Sequence, residues 1–474
     1  MTRPVGSLAT RVTVWCLLAA GAIPAAAAPQ RPPNVVLILM DDMGWRDVGF
    51  MGNTFVDTPH LDRLAARGIV FTQAYASAPN CAPTRACLMS GQYPPRHGIY
   101  TVVDPRQPPG SPWHKLRAAD SRAELAPDVV TLPEALRSRG YETAFFGMWN
   151  LGRGRTGPAT PGGQGVDTVV FPETLGFAKD AYFDAVGNQL SDRLTDEVLG
   201  FIERRRAGPF FVYLADHAIH APYDPEPDLL AKYDRKAAAG RDQRDDAAQA
   251  ATIEAVDRNV GRIVERLERL GIADDTLVIF TSDNGGTARF TPPLKGGKGD
   301  LFEGGSRVPL VMAGAGVAKP GTACHEPVAS IDLYPTLVDL AGGIPGRQLD
   351  GTSLVPLLAG AASLSRERLF WHFPCYVGRA TPASAIREGS LKLVEFFEDA
   401  GHVELYDLST DPGERTDLAR AMPEQAAALA ARLHAGQWKT HAAIPAAANP
   451  AYDPQADRPR GGGPGKGTER RKPR

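Results

Sequence analysis

The chain has 474 residues, 43% of them hydrophobic and 22% charged, with 52 lysines and arginines against 54 aspartates and glutamates. That length is ample for an ordinary hydrophobic core without a disulfide scaffold. The near-neutral balance argues against nucleic acid as a partner.

The opening stretch, "MTRPVGSLATRVTVWCLLAAGAIPAAAAPQ", sets Arg3 and Arg11 before an apolar run from Val12 to Ile23 and small residues ending at Ala28. This is the layout of a secretory signal peptide over 1–28, cleaved after Ala28. The run is too short to span a bilayer and no later segment is long enough, so a periplasmic or secreted protein with no membrane anchor is expected. Bulky residues around Cys16 speak against a lipoprotein anchor. Removing two arginines leaves 50 basic against 54 acidic residues, a balance of −4. The cysteines that remain are Cys81, Cys87, Cys324 and Cys375, which could form two disulfides.

Five short apolar runs, "NVVLILM" (34–40), "TAFFGM" (143–148), "PFFVYLA" (209–215), "TLVIFTS" (276–282) and "VPLVMAG" (308–314), read as buried strands of a mostly parallel sheet. Helices are expected between them. The clearest carries Ile253, Val256, Val260, Ile263, Leu267 and Leu270 at three- and four-residue spacing and stops at Gly271. Such alternation predicts a doubly wound α/β domain over 29–361, with its site at the carboxyl ends of the strands. Dense proline and glycine predict irregular loops over 105–128 and 152–165. From about 362, "RLFWHF", "SAIREG", "LKLVEFF" and "HVELYDL" predict a small antiparallel sheet in an α+β subdomain over 362–445. The tail, 446–474, ends in "RPRGGGPGKGTERRKPR" and is expected to be disordered.

Two places are rich in oxygen ligands. Asp41 and Asp42 follow the first strand directly, and a carboxylate pair at a strand end repels itself unless a cation holds it. Taken alone, such a pair is more often a solvated turn or a helix cap. A second strand end, "VIFTSDNGG", carries Asp283 and Asn284, and the two could converge on one Ca²⁺ or Mg²⁺ ion. In "NCAPTRACLMSGQ" (80–92), Pro83 suits the first turn of a helix. Cys81 is then placed just before the helix amino terminus, where free N–H groups favour an anion, with Arg85 about one turn on. A disulfide partner or a buried apolar residue is the alternative reading of Cys81.

Cys81-Ala82-Pro83-Thr84-Arg85 resembles the signature of the type I sulfatases, in which the cysteine is oxidised to formylglycine by a maturation enzyme; Thr84 stands where serine is usual. The resemblance runs from about Pro33 to the end of the small sheet. "PNVVLILMDDMGW" and "SDNGG" resemble the family's two metal pairs, and "PLKGGKGDLFEGGSRVPLVM" its active-site lysine segment, which maps to Lys298. "SIDLYPTLVDLAG" resembles the helix that follows. "DHAIHAPYDP" resembles the His-x-Pro-His-x-Pro segment, with Ile219 in place of the first proline and His220 at the substrate histidine.

The resemblance implies an alkaline-phosphatase-like fold with a smaller C-terminal antiparallel sheet. It also implies one divalent cation, Ca²⁺ first, on Asp41, Asp42, Asp283, Asn284 and modified Cys81. Cys81, Arg85, Lys298 and His220 would be the catalytic set, acting on a sulfated small molecule or polysaccharide, with Arg85 and Lys298 on the sulfuryl oxygens. His217 is the runner-up to His220 but reads first as structural, and His372 and Cys375 read first as packing residues.

One motif departs from the family. Where it usually has Gly-Lys-Trp-His-Leu-Gly, this chain has Gly147-Met148-Trp149-Asn150-Leu151-Gly152. Methionine supplies no cation and asparagine no base near neutral pH. Three readings stay open: an atypical sulfatase, a phosphodiester or phosphonate hydrolase of the same superfamily, and a non-catalytic binder of sulfated glycans.

Overall fold

The computed structural model describes residue 1 and residues 31–102, 110–152, 154–178, 181–239, 246–287, 291–346 and 348–456. All but Met1 of the expected signal peptide, part of the 105–128 loop and all but the start of the expected tail lie outside the described residues.

The strands are β1 (Asn34–Met40), β2 (Gly68–Phe71), β3 (Ala74–Tyr75), β4 (Glu142–Gly147), β5 (Thr168–Val170), β6 (Phe210–Asp216) and β7 (Thr276–Ser282), followed by β8 (Leu310–Gly314), β9 (Thr322–Cys324), β10 (Val328–Ala329), β11 (Arg368–Phe373), β12 (Ala383–Glu388), β13 (Leu391–Phe396) and β14 (His402–Asp407). Eight of them form the main sheet in the order β5-β4-β6-β1-β7-β8-β2-β9. The run from β5 to β7 is parallel, whereas β8 is antiparallel to both β7 and β2. The segment 308–314 is therefore a strand as expected, running against the parallel majority.

Burial on both faces explains the unbroken apolar runs. Val35, Leu37 and Leu39 of β1 face a core that includes Ala82, Ala86 and Met89 of the helix Cys81–Ser90 and Leu333 and Leu337 of the helix Leu333–Leu340. The alternate residues Val36, Ile38 and Met40 face a second core with the helices Leu190–Arg205 and Ala247–Arg269. The latter helix begins earlier than its periodic stretch. Asp246 caps it by accepting from the N–H groups of Ala248 and Gln249, both at 3.0 Å, and alanines fill its first turns.

The second sheet is antiparallel in the order β11-β12-β13-β14. Ala426, Leu429 and Leu433 of the helix Pro423–Thr440, which the sequence reading did not single out, pack against it in a third core. Lys392 of β13 is fully buried, 3.0 Å from Glu303 Oε1 of the main domain and 3.0 Å from Glu414 Oε1. The second of these contacts lacks hydrogen-bond alignment. Cys81, Cys87, Cys324 and Cys375 are all unpaired, so neither of the two disulfides considered possible is present among the described residues.

Candidate active site

Four neighbouring parallel strands, β4, β6, β1 and β7, end on one edge of the sheet, so the residues after them are brought together whatever their distance in sequence. β1 delivers Asp41 and Asp42, and β7 delivers Asp283 and Asn284. β6 delivers His217 and His220, and β4 delivers Met148 and Asn150. Because β8 runs the opposite way, the loop that precedes it also lies on this edge and carries Lys298.

Cys81 arrives from the core helix. Asn80 caps that helix by accepting the Cys81 N–H at 2.7 Å, so the helix begins at Cys81 itself, slightly earlier than expected from Pro83. Thr84 Oγ1 donates to the Ala78 carbonyl at 2.8 Å and accepts from the Ala78 N–H at 3.2 Å, ties that a serine hydroxyl could also make. Burial, with Asp41 and Asp283 nearby, pushes the Cys81 thiol well above its ordinary range despite Lys298 and Arg85. The thiolate is therefore scarce, and an unmodified Cys81 is a poor nucleophile.

Arg85 is completely buried. Its Nε donates to Asp283 Oδ2 at 2.9 Å, its Nη2 to Asp41 Oδ2 at 2.9 Å, and its Nη1 to the Met148 carbonyl. The sequence reading gave Arg85 to the sulfuryl oxygens, whereas each of its nitrogens already has an acceptor, and its place is to hold the two carboxylates. Lys298 Nζ lies 2.6 Å from Asp42 Oδ1, and the His220 Nε2 lies 3.6 Å from Asp42 Oδ2. His220 and Lys298 are 37% and 18% exposed at their side chains, so both reach the solvent side of the cluster.

The buried oxygens show what the cluster lacks. Asn284 Nδ2 donates to Asp42 Oδ1 at 2.7 Å and to the Gly285 carbonyl at 2.9 Å, but Asn284 Oδ1 and Asp41 Oδ1 are buried with no hydrogen-bond donor among the described residues. Unsatisfied buried acceptors are costly and call for a hydrogen or a cation. One oxygen each from Asp41 and Asp283 lies within 4.8 Å of the Cys81 Sγ, and Asp41, Asp42 and His220 form a second such group. An all-oxygen set with three carboxylates fits a hard divalent ion. Burial, with Asp41 and Asp42 beside it, raises the Asp283 carboxyl to about 7 despite Arg85 and Lys298.

Supporting residues escaped the sequence reading. Met43 N–H donates to Ser282 Oγ at 2.9 Å and Gly44 N–H donates to Asp47 Oδ2 at 2.8 Å, which pins the turn that presents Asp41 and Asp42. The side chain of His217 is buried with its Nδ1 unpartnered. His372 is bonded to Ser384 Oγ at 2.6 Å in the small sheet, and Cys375 is buried in the same core.

The mostly parallel sheet, covered on both faces, and the oxygen cluster at its carboxyl edge define an alkaline-phosphatase-like hydrolase. The family model described as Sulfatase matches residues 33–344, and that for the N-sulphoglucosamine sulphohydrolase C-terminal region matches 297–441. A sulfatase of Formosa agariphila is 33% identical, with 84% of this chain and 86% of that one covered. Human arylsulfatase A is 32% identical over 86% of this chain and 88% of its own. The crystal structure of Ps i-CgsB in complex with k-i-k-neocarrahexaose superposes with a TM-score of 0.73 at 27% identity, covering 86% and 94%. The chain belongs to the sulfatase family and is a hydrolase of sulfate esters.

Proposed function

We propose that the chain is an exported sulfatase that removes sulfate from a sulfated carbohydrate, using formylglycine made from Cys81 by a maturation enzyme and one divalent cation, Ca²⁺ in the first instance. The observation that carries this reading is the pairing of a buried, unreactive thiol at a helix start with two buried carboxyl and amide oxygens that lack a partner. Asp41, Asp42, Asp283 and Asn284 would hold the cation beside residue 81. The aldehyde hydrate supplies an attacking oxygen and a second hydroxyl for sulfate release, and the cation supplies positive charge.

The other roles belong to the chain. Arg85 fixes the Asp41 and Asp283 carboxylates, so the ligand set is built before substrate enters. Lys298 faces the cluster as an ammonium kept charged by the Asp42 and Asp41 carboxylates against the cost of burial, and it neutralises a sulfuryl oxygen. His220, the more exposed of the two, protonates the departing alcohol oxygen. Asn150 can donate or accept a hydrogen bond but cannot take a proton, so sulfate release lacks the base that the family places there. Carbohydrate is favoured as the substrate by the oligosaccharide bound to the related Ps i-CgsB structure. The arginine-bearing apolar leader at 1–28 supports a periplasmic or secreted location.

The test has two parts. Peptide mass spectrometry of protein made beside a maturation enzyme should find an aldehyde at residue 81 that reacts with a hydrazide. That protein is then assayed on sulfate esters, phosphate diesters and phosphonates. Faster turnover of sulfate esters supports the proposal. Preference for a phosphonate or diester, or binding of sulfated sugar without turnover, replaces it.

A further inference from the structure

A cleft of about 620 Å³ lies between the main domain and the small sheet, on residues outside the active site. Trp45, Thr72, Glu303, Arg307 and His325 line it from the main domain, and Arg387, Ser390 and Ser409 come from the small-sheet segment. Its size suits a small ligand, and seams between domains are common binding places. It adjoins the catalytic segments: Trp45 follows Asp42 by three positions, and Leu294, also in its wall, precedes Lys298 by four.

Two donors in this wall lack acceptors among the described residues. The indole N–H of Trp45 is buried and finds none. The Arg307 guanidinium lies 5.0 Å from the Trp45 ring centre, anchored by Nε and Nη2 to the Thr72 carbonyl. Its Nη1 has only Glu303 Oε2, 3.6 Å away, which is too far for a hydrogen bond. That carboxylate is already engaged, accepting from Tyr75 Oη at 2.8 Å and from Lys392 Nζ at 3.0 Å. Arg387 is likewise anchored, by Tyr75, Gln73 and the Gly389 carbonyl, and adds positive charge without a free nitrogen. A fixed cation beside a buried N–H on an aromatic shelf matches an oxyanion carried on an apolar ring face.

We infer that this cleft is a second binding site, which takes the sulfate or carboxylate group of an anionic saccharide on Trp45 and Arg307. The ligand class rests on the sulfated-carbohydrate reading of the active site, whereas the two unfilled donors do not.

Isothermal titration of the full chain carrying Cys81→Ala, which prevents turnover, reads binding directly. A sulfated oligosaccharide should occupy two sites. Trp45→Phe, which keeps the ring and removes the N–H, and Arg307→Gln should each weaken one of them about tenfold, the effect of one hydrogen bond to a charged group. Ser409→Trp fills the cleft from the small-sheet segment with both donors intact and should abolish the same site. Absence of any site that Ser409→Trp abolishes and Trp45→Phe weakens, or equal binding of the sugar stripped of both sulfate and carboxylate, overturns the proposal. Turnover of an aryl sulfate by the unaltered chain is scored separately, so failure at the active site and failure at the cleft give different results.

Discussion

Converting Met148 to lysine and Asn150 to histidine together should raise aryl sulfate turnover by about a hundredfold or more, the typical contribution of a placed acid–base group. The backbone can accept both changes. Asn150 sits at φ 61, in the left-handed region where histidine, like asparagine, is enriched among residues other than glycine. Met148 is tied by its main chain, its N–H donating to the Ala215 carbonyl at 3.1 Å and its own carbonyl accepting from Arg85, and lysine keeps both bonds. Its side chain is only half-buried, so a lysine stem can follow the methionine path with the ammonium toward solvent. The charges also permit it. Asp41, Asp42 and Asp283 oppose Arg85 and Lys298, one negative charge in excess, which a divalent cation turns into one positive charge. An added lysine gives a second positive charge to meet the sulfate ester. The assay is steady-state hydrolysis of a chromogenic aryl sulfate by protein shown to carry the aldehyde and the metal. A double variant that melts like the parent, carries both and yet gains nothing would refute the placement of residues 148 and 150 beside the reacting group.

Chelation should lower the melting temperature and readdition of Ca²⁺ restore it, while Asp41→Ala should weaken metal binding in elemental analysis; an unchanged melt would count against the cation. Lys392→Met should destabilise the chain by about 3–5 kcal/mol, because Glu303 and Glu414 would be left buried without their shared cation, and a thermal shift within about 1 kcal/mol of the parent would contradict that. Asp47 is buried and its carboxyl is pushed up to about 7, mainly by desolvation. The folded chain then holds this proton where the unfolded chain has released it, so stability falls as pH rises between about 4 and 7. Asp47→Asn should flatten that part of the profile by an amount on the order of a few kcal/mol, and an unaltered slope would place the proton elsewhere.

Much of the main sheet could be read from local patterns, because a strand buried on both faces must be apolar at every position. Asn34–Met40 and Thr276–Ser282 coincide with their runs for this reason. The amphipathic stretch before Gly271 was equally legible, since Gly271 adopts φ 68, a conformation that favours glycine. The short strands Gly68–Phe71 and Thr168–Val170 and the alanine-rich helix Pro423–Thr440 carried little periodic signal, and their place is set by the neighbours that cover them.

For the site, the order of residues along the chain named Asp41, Asp42, Cys81, Arg85, His220, Asp283, Asn284 and Lys298 as candidates, because each follows an apolar strand or sits in a distinctive short motif. Only the folded chain determined what each of them touches. Spacing could not reveal that Arg85 donates to Asp283, Asp41 and Met148, because its partners lie 198, 44 and 63 residues away. Nor could it reveal that Asp41 Oδ1 and Asn284 Oδ1 are left without donors, since satisfaction of a buried group depends on every element packed around it. The sequence by itself determined which side chains were available at the strand ends, and parallel packing of β4, β6, β1 and β7, with β8 reversed beside them, decided that they meet at one edge.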